Sequence, residues 1–290
     1  MKIAAIQMVS TTDVGQNLEA ARRLVAEAAG RGAQLIGLPE YFCLMGRRDG
    51  DKLAIAEPPG SADAPGAGPI QQMLSSAARE HGVWLMGGTL PIQGSDASRV
   101  WNANCVYAPD GRLAARYDKI HLFRFDNGRE HYDEGVAIQP GTAPVAMQAG
   151  GLKVGLSVCY DLRFPELYRA LMGPVGAASD AAPAPAPDAE NGPCDVIAVP
   201  SAFTHTTGLA HWELLLRARA VENQAYVMAP AQGGQHENGR RTFGHTMIVD
   251  PWGQVLGALA EGEGVVIAEL DAARLASVRR QLPALEHRRL

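Results

Sequence analysis

The sequence predicts an α/β protein built as a four-layer α-β-β-α sandwich from two similar halves. Three observations carry that prediction. Short apolar runs of strand length alternate with helix-patterned segments. The strand-like runs recur in the same order in both halves. Each half closes on a hairpin pattern, with the turn Pro109-Asp110-Gly111 in one and Pro251-Trp252-Gly253 in the other.

The first half opens with Lys2-Ile3-Ala4-Ala5-Ile6-Gln7-Met8, matched by Leu152-Lys153-Val154-Gly155-Leu156-Ser157-Val158. A helix pattern at 17–29, stopped by Gly30, leads to Leu35-Ile36-Gly37-Leu38-Pro39-Glu40, which matches Val196-Ile197-Ala198-Val199-Pro200-Ser201. A second pattern at 70–81, stopped by Gly82, leads to Val83-Trp84-Leu85-Met86-Gly87. Its match is Tyr226-Val227-Met228-Ala229-Pro230, which follows a helix pattern at 210–223. Hairpins at 104–113 and 246–255 complete two β-α-β-α-β-hairpin units. A sheet with helices on one face leaves the other bare, and two bare faces bury each other. The expectation is a single domain over 1–290, interrupted by an Ala/Pro tract at 173–193. Alternating Ala and Pro can neither form a helix nor pack a core, so the tract reads as a solvated extended loop.

The bulk numbers exclude several function classes. A chain of 290 residues with 47% hydrophobic content is long enough for one large α/β core. A net charge of −5 and the absence of any basic run argue against nucleic acid or a polybasic membrane contact. No apolar run approaches the roughly 20 residues of a membrane span. The N-terminus enters a strand directly, without the basic flank and cleavage site of a signal peptide. The four cysteines form no CxxC pair or metal-ligand spacing, and the eight histidines are scattered. The expectation is a cytoplasmic protein that uses no metal or other cofactor.

The chemistry lies at three strand ends. Cys159 follows the run 152–158 and precedes Pro165-Glu166, the first turn of a helix, so its thiol sits at a strand-to-helix corner. Backbone N–H groups at such a corner stabilise a thiolate or an oxyanion. A lone cysteine is otherwise a core residue. Glu40 ends a second apolar strand, and Lys119, in Arg116-Tyr117-Asp118-Lys119-Ile120-His121, ends a third. Together they supply a nucleophile, a base and an oxyanion partner. The positions equivalent by repeat, near Val9 for Cys159 and Ser201 for Glu40, lack these groups. The reactive residues break the internal symmetry, as core residues need not.

Leu38-Pro39-Glu40, Asp118-Lys119-Ile120-His121-Leu122 and Val158-Cys159-Tyr160-Asp161-Leu162-Arg163-Phe164-Pro165-Glu166 together resemble the nitrilase, or carbon-nitrogen hydrolase, superfamily, over essentially the whole chain. The run from Thr207-Gly208 to Arg219 resembles its amidase branch, within which lie ω-amidases and deaminated glutathione amidases, and the tail with His287-Arg288-Arg289 most resembles the latter. The resemblance implies the same sandwich fold, a Glu40-Lys119-Cys159 triad and a thioester route. It implies oxyanion support from Lys119 and the Tyr160 N–H, and a second glutamate, Glu134, that orients Lys119. A surface carboxylate is the rival reading of Glu134, with Glu130 and Asp133 close by. It also implies a small amide substrate and a homodimer or larger homo-oligomer. Tyr41, Phe42, Arg163, Phe203 and Thr207 are the substrate-binding candidates, with Arg163 poised either for a substrate carboxylate or for an internal salt bridge to Asp161 or Glu166. Arg288 and Arg289 are further candidate cations. A nitrilase, N-carbamoylase or acyltransferase on the same fold, and a non-catalytic binding protein, are the alternatives.

The Ala/Pro tract generates a direct expectation. Replacing residues 175–191 by a short Gly/Ser link should leave turnover and melting temperature nearly unchanged. A fall of several degrees in a thermal melt would mean that the tract packs on the body or on a partner.

Overall fold

Two mixed sheets carry the repeat, and the computed structural model describes residues 1–48, 50–61, 64, 68–173 and 192–289. The first half runs β1 (Lys2–Gln7), α1 (Val14–Gly30), β2 (Leu35–Gly37), α2 (Asp51–Ala54), α3 (Pro69–His81) and β3 (Trp84–Met86). Strands β4 (Leu90–Gln93), β5 (Val100–Tyr107) and β6 (Leu113–Asp118) follow as a meander. A small hairpin of β7 (Arg124–Asp126) and β8 (His131–Asp133), a 3-10 turn at Glu134–Val136 and β9 (Ile138–Gln139) lead to the second half. There β10 (Val145–Ala149) and β11 (Leu152–Leu156) precede a 3-10 turn at Cys159–Arg163 and α4 (Pro165–Leu171). Next come β12 (Val196–Ala198), α5 (His205–Asn223), β13 (Tyr226–Ala229) and the hairpin β14 (Gly233–Gln235) and β15 (Arg241–Phe243). The chain closes with β16 (Thr246–Val249), β17 (Val255–Leu259), β18 (Gly264–Glu269) and α6 (Ala272–Gln281).

The first sheet has the order β18-β1-β2-β3-β5-β4, with β6 and β9 also on β5, and the second the order β10-β11-β12-β13-β16-β17. Three parallel strands form the centre of each, flanked by antiparallel neighbours. The first sheet departs from the simple repeat by carrying β4 and β9 on β5 and by the origin of its outer strand. The outer strand of the second sheet, β10, directly precedes β11, whereas its counterpart in the first sheet, β18, comes from the far end of the chain.

Pairing registers align the halves residue by residue. Ile3 pairs with Leu35 as Val154 pairs with Val196, and Gly37 and Ala198 are equivalent in turn. Glu40 therefore corresponds to Ser201, as the repeat implied. Cys159 corresponds to Met8 rather than Val9, and Tyr226 to Trp84 rather than Val83, each a slip of one residue.

Alternation along the strands assigns the two faces. Ala4, Ile6, Ile36 and Leu85 pack beneath Leu24, Val25 and Ala28 of α1 and Leu74 and Ala77 of α3. Ile3, Ala5, Leu35 and Met86 face the other way and join the core of the second half, with Val154, Leu156 and Met228. Helix α1 is capped by Asp13, whose carboxylate accepts from Gln16 N at 2.9 Å, and it runs one residue past the expected stop, through Gly30. Helix α3 ends at Gly82 in the left-handed region, φ 62°. Helix α5 starts at His205, five residues before the pattern suggested, because its first turn is Thr206-Thr207-Gly208, poor helix formers that the Thr204 cap compensates. The Ala/Pro tract lies outside the described residues, apart from its flanks at 173 and 192–193. Among the described residues no helix is long and apolar enough to cross a membrane.

Two glycines let loops lie across the backbone just before two of the strand-end residues. A Cβ on Gly88, at φ 57°, would stand 2.0 Å from the Pro39 carbonyl oxygen, one residue before Glu40. A Cβ on Gly141 would stand 2.0 Å from the Asp118 carbonyl oxygen, one residue before Lys119, whose own carbonyl accepts from Gly141 N at 2.8 Å. Gly88→Ala should destabilise the protein by at least the ~1–3 kcal/mol of a left-handed non-glycine residue, because the Pro39 backbone must also move. Urea unfolding checks this, and an unchanged midpoint would contradict it.

Candidate active site

Both sheets contribute to one cluster at their carboxyl ends. Glu40 stands three residues beyond β2, Lys119 directly beyond β6, and Cys159 three residues beyond β11. Glu134 opens the 3-10 turn after β8. Two of the positions involved hold left-handed backbone without glycine: Tyr41 at φ 56° and Cys159 at φ 48°. Each such residue costs ~1–3 kcal/mol and persists because its surroundings fix it. Tyr41 N donates to Thr89 Oγ1 at 2.9 Å, and Cys159 N donates to the Pro200 carbonyl at 3.0 Å. The turn places Cys159 between β11 and α4, with its side chain among the lining of a pocket.

Lys119 is wholly buried, and its ammonium joins two carboxylates. Nζ donates to Glu40 Oε1 at 2.9 Å and to Glu134 Oε1 and Oε2 at 2.9 and 2.7 Å. The carboxylates are held in turn. Glu40 accepts from Asn102 Nδ2 at 3.0 Å and from Ala202 N at 2.9 Å, and Glu134 accepts from the Tyr41 hydroxyl at 2.6 Å and Phe123 N at 2.7 Å. Burial alone pushes the Lys119 pKa down, but the charges of Glu134 and Glu40 outweigh it and hold it above the usual lysine range. Burial pushes Glu134 up, and the Lys119 charge and hydrogen bonds outweigh that and leave it below the usual carboxylate range. For Cys159, burial and then the Glu40 charge push the thiol well up, against the pull of Lys119. Cys43, Cys105 and Cys194 are buried thiols whose pKa values burial pushes up to about 12.

The Cys159 turn is tied to the Lys119 segment by Asp161. Its buried carboxylate accepts from Val158 N at 2.8 Å, the Tyr117 hydroxyl at 2.7 Å and His121 N at 3.0 Å, with His121 Nδ1 at 2.7 Å. The ring of His121 stacks on Phe164. Tyr160 lies at the opening of the 3-10 turn, where amides have no acceptor within the turn itself.

A pocket enclosing about 270 Å³, its mouth included, opens over the thiol. Glu40, Glu134, Cys159 and Tyr160 line it together with Arg163, Phe203, Thr207 and Arg240. Arg163 lies over the rings of Tyr160 and Phe203, at 5.7 and 5.2 Å, and meets His211 Nδ1 at 3.1 Å. Asp161 is fully engaged elsewhere, and among the described residues no carboxylate pairs with Arg163.

Three expected residue groups fall elsewhere. The Tyr41 ring lies behind the carboxylates, where it serves Glu134 and lines a separate cavity with Cys43, Lys52 and Asn102. Phe42 is fully buried in the core beneath α1 and α3, because the left-handed turn at Tyr41 redirects the next side chain inward. Arg288 donates to the carbonyls of Arg169, Met172 and Gly173 at the far end of α4, and Arg289 is exposed beside it. Asn102 and Arg240 are site residues that the sequence reading passed over. The available signal for Asn102 was a pair of asparagines, Asn102 and Asn104, in the otherwise apolar strand β5.

The charge network sets a pH window. A carboxyl whose folded pKa is depressed stabilises fully above its ordinary value and loses that contribution as pH falls through the folded one; a lysine with a raised pKa behaves in the opposite sense. Glu134 and Lys119, with ordinary values of 4.5 and 10.5, therefore contribute fully between those limits and progressively less beyond either. Urea unfolding from pH 7 down to 3 should show a steeper acid loss for the wild type than for Glu134→Gln. Parallel curves would contradict the depressed carboxyl.

Comparison with known proteins gives a consistent result. A carbon-nitrogen hydrolase family model matches residues 2–280. Deaminated glutathione amidase of Synechocystis sp. (strain PCC 6803 / GT-S) is 38% identical over 289 residues, covering 98% of this chain and 97% of that protein. Deaminated glutathione amidase of Homo sapiens is 38% identical over 294 residues, covering 99% of this chain and 82% of that protein. Among solved structures, Caenorhabditis elegans NitFhit superposes with a TM-score of 0.84 at 34% identity, covering 99% of this chain but 65% of that one. Saccharomyces cerevisiae Nit3, a member of branch 10 of the nitrilase superfamily, superposes with a TM-score of 0.83 at 26% identity, covering 100% and 97%. The matches span both sheets and every segment that carries Glu40, Lys119, Glu134 and Cys159, and the chain belongs to the carbon-nitrogen hydrolase family.

Proposed function

We propose that this chain is a thiol amidase that hydrolyses a small carboxylated amide through a cysteine thioester, with deaminated glutathione ahead of other 2-oxo acid ω-amides. The observation that carries the reading is the buried Lys119 ammonium, shared by Glu40 and Glu134 beside the Cys159 thiol. Relatives named deaminated glutathione amidase support the substrate.

Glu40 takes the thiol proton, and the thiolate attacks the amide carbonyl. Lys119 and the Tyr160 N–H hold the oxyanion that forms. As the C–N bond breaks, Glu40 returns the proton to the leaving amine. Water then attacks the thioester with Glu40 as base, the C–S bond breaks, and Cys159 regains its proton. Glu134 keeps the ammonium charged and fixed through the cycle. Arg163, stacked on Tyr160 and Phe203, supplies a cation for the carboxylate of the acyl part. The exposed Leu209 and Leu214 of α5 support a homo-oligomer, and four free cysteines support a reducing compartment such as the cytoplasm.

Cys159→Ala should abolish hydrolysis with folding intact, and a slow substrate should leave an acyl mass on Cys159 of the native enzyme. Lys119→Ala should lower kcat by on the order of 10²–10³ or more, and Glu40→Gln should block thioester formation itself. Intact-mass spectrometry and single-turnover kinetics read these outcomes. Acylation of another cysteine, or near-normal turnover in either variant, would sink the triad; a preference for an uncharged aliphatic amide over deaminated glutathione would sink the substrate.

A further inference from the structure

Arg240 reaches the pocket from the loop between β14 and β15, and its environment is unusual for a cation. Its Nη2 donates to the Ala202 carbonyl at 3.1 Å, and its guanidinium lies 5.1 Å over the Tyr132 ring. Nε is buried without a hydrogen-bond acceptor, and no carboxylate among the described residues pairs with the group. A guanidinium held in a pocket wall with an unused buried donor is short of an anion.

Ala202 joins this cation to the acid-base group. Its N–H holds Glu40 Oε2 at 2.9 Å, while its carbonyl holds Arg240. The leaving amine must lie within reach of Glu40, which protonates it. A substituent on that amine therefore extends along the Ala202 wall towards Arg240. Arg163, which lines the same pocket over the Phe203 ring, is the cation assigned above to the acyl part. We infer that Arg240 is a specificity residue that pairs with a carboxylate carried by the leaving amine. This rests on the amidase reading above and divides the two cations between the two ends of the substrate.

The test uses three substrates with one acyl group, the ω-amides of 2-oxoglutarate with ammonia, with cysteinylglycine and with cysteinylglycine amide, which lacks the terminal carboxylate. For Arg240→Met, kcat/KM on the substrate made with cysteinylglycine, which bears the free carboxylate, should fall roughly 10- to 100-fold more than on the other two. Arg240→Lys, which keeps the charge, should recover part of that difference. Equal losses on all three substrates would reduce Arg240 to a support for the Ala202 loop and overturn the assignment while the amidase reading stands. A wild-type enzyme inactive on all three would overturn that reading, and this inference with it.

Discussion

An ammonium withdrawn from water costs several kcal/mol unless anions surround it, and removing one partner of such a buried pair is far more damaging than never having built it. Lys119 meets this condition with two carboxylates, and much of the surrounding architecture answers to that need. Glu134 is kept in place by Tyr41 and Phe123, Glu40 by Asn102 and Ala202, and the backbone of Lys119 by Asn102 and Gly141. The left-handed backbone at Tyr41 brings its hydroxyl to Glu134 and its amide to Thr89. Strain, glycine contacts and hydrogen bonds thus converge on one charge.

The carboxylates gathered around that ammonium also act on the Cys159 thiol. Burial first, and then the neighbouring Glu40, hold that thiol well above its ordinary range against the pull of Lys119. In the mechanism proposed above, proton transfer to Glu40 removes one negative charge as the thiolate appears, so the local sum does not change. The pairing of base and nucleophile conserves charge at a place where water cannot compensate for a change in it.

The fold was legible because its signals are local or repeated. Strand-length apolar runs, the glycine stop after α3 and two proline-glycine turns fixed the units, and duplication supplied the sandwich. Strand β18 stayed hidden because its partner, β1, lies at the opposite end of the chain and no neighbouring repeat announces the pairing. Glu40, Lys119 and Cys159 were readable as chemistry at strand ends, and Glu134 only through the motif order. Phe42 was named from the resemblance, and its neighbour Tyr41, in left-handed backbone, sends it into the core instead. Arg240 was invisible because Arg240-Arg241 reads as a solvated pair, and only the fold turns one of the two toward the pocket.

The long-range pairing of β1 with β18 has a consequence for synthesis on the ribosome. The second sheet is assembled from strands that lie between residues 145 and 259, so its pairing partners emerge together. The first sheet holds its earliest strand with one hydrogen-bonding edge open until the last strand has left the exit tunnel. An uncovered strand edge is a template for pairing with other chains. The half that carries Glu40 and Lys119 is thus translated first and sealed last, and during that interval it is the part of the nascent chain most in need of a chaperone.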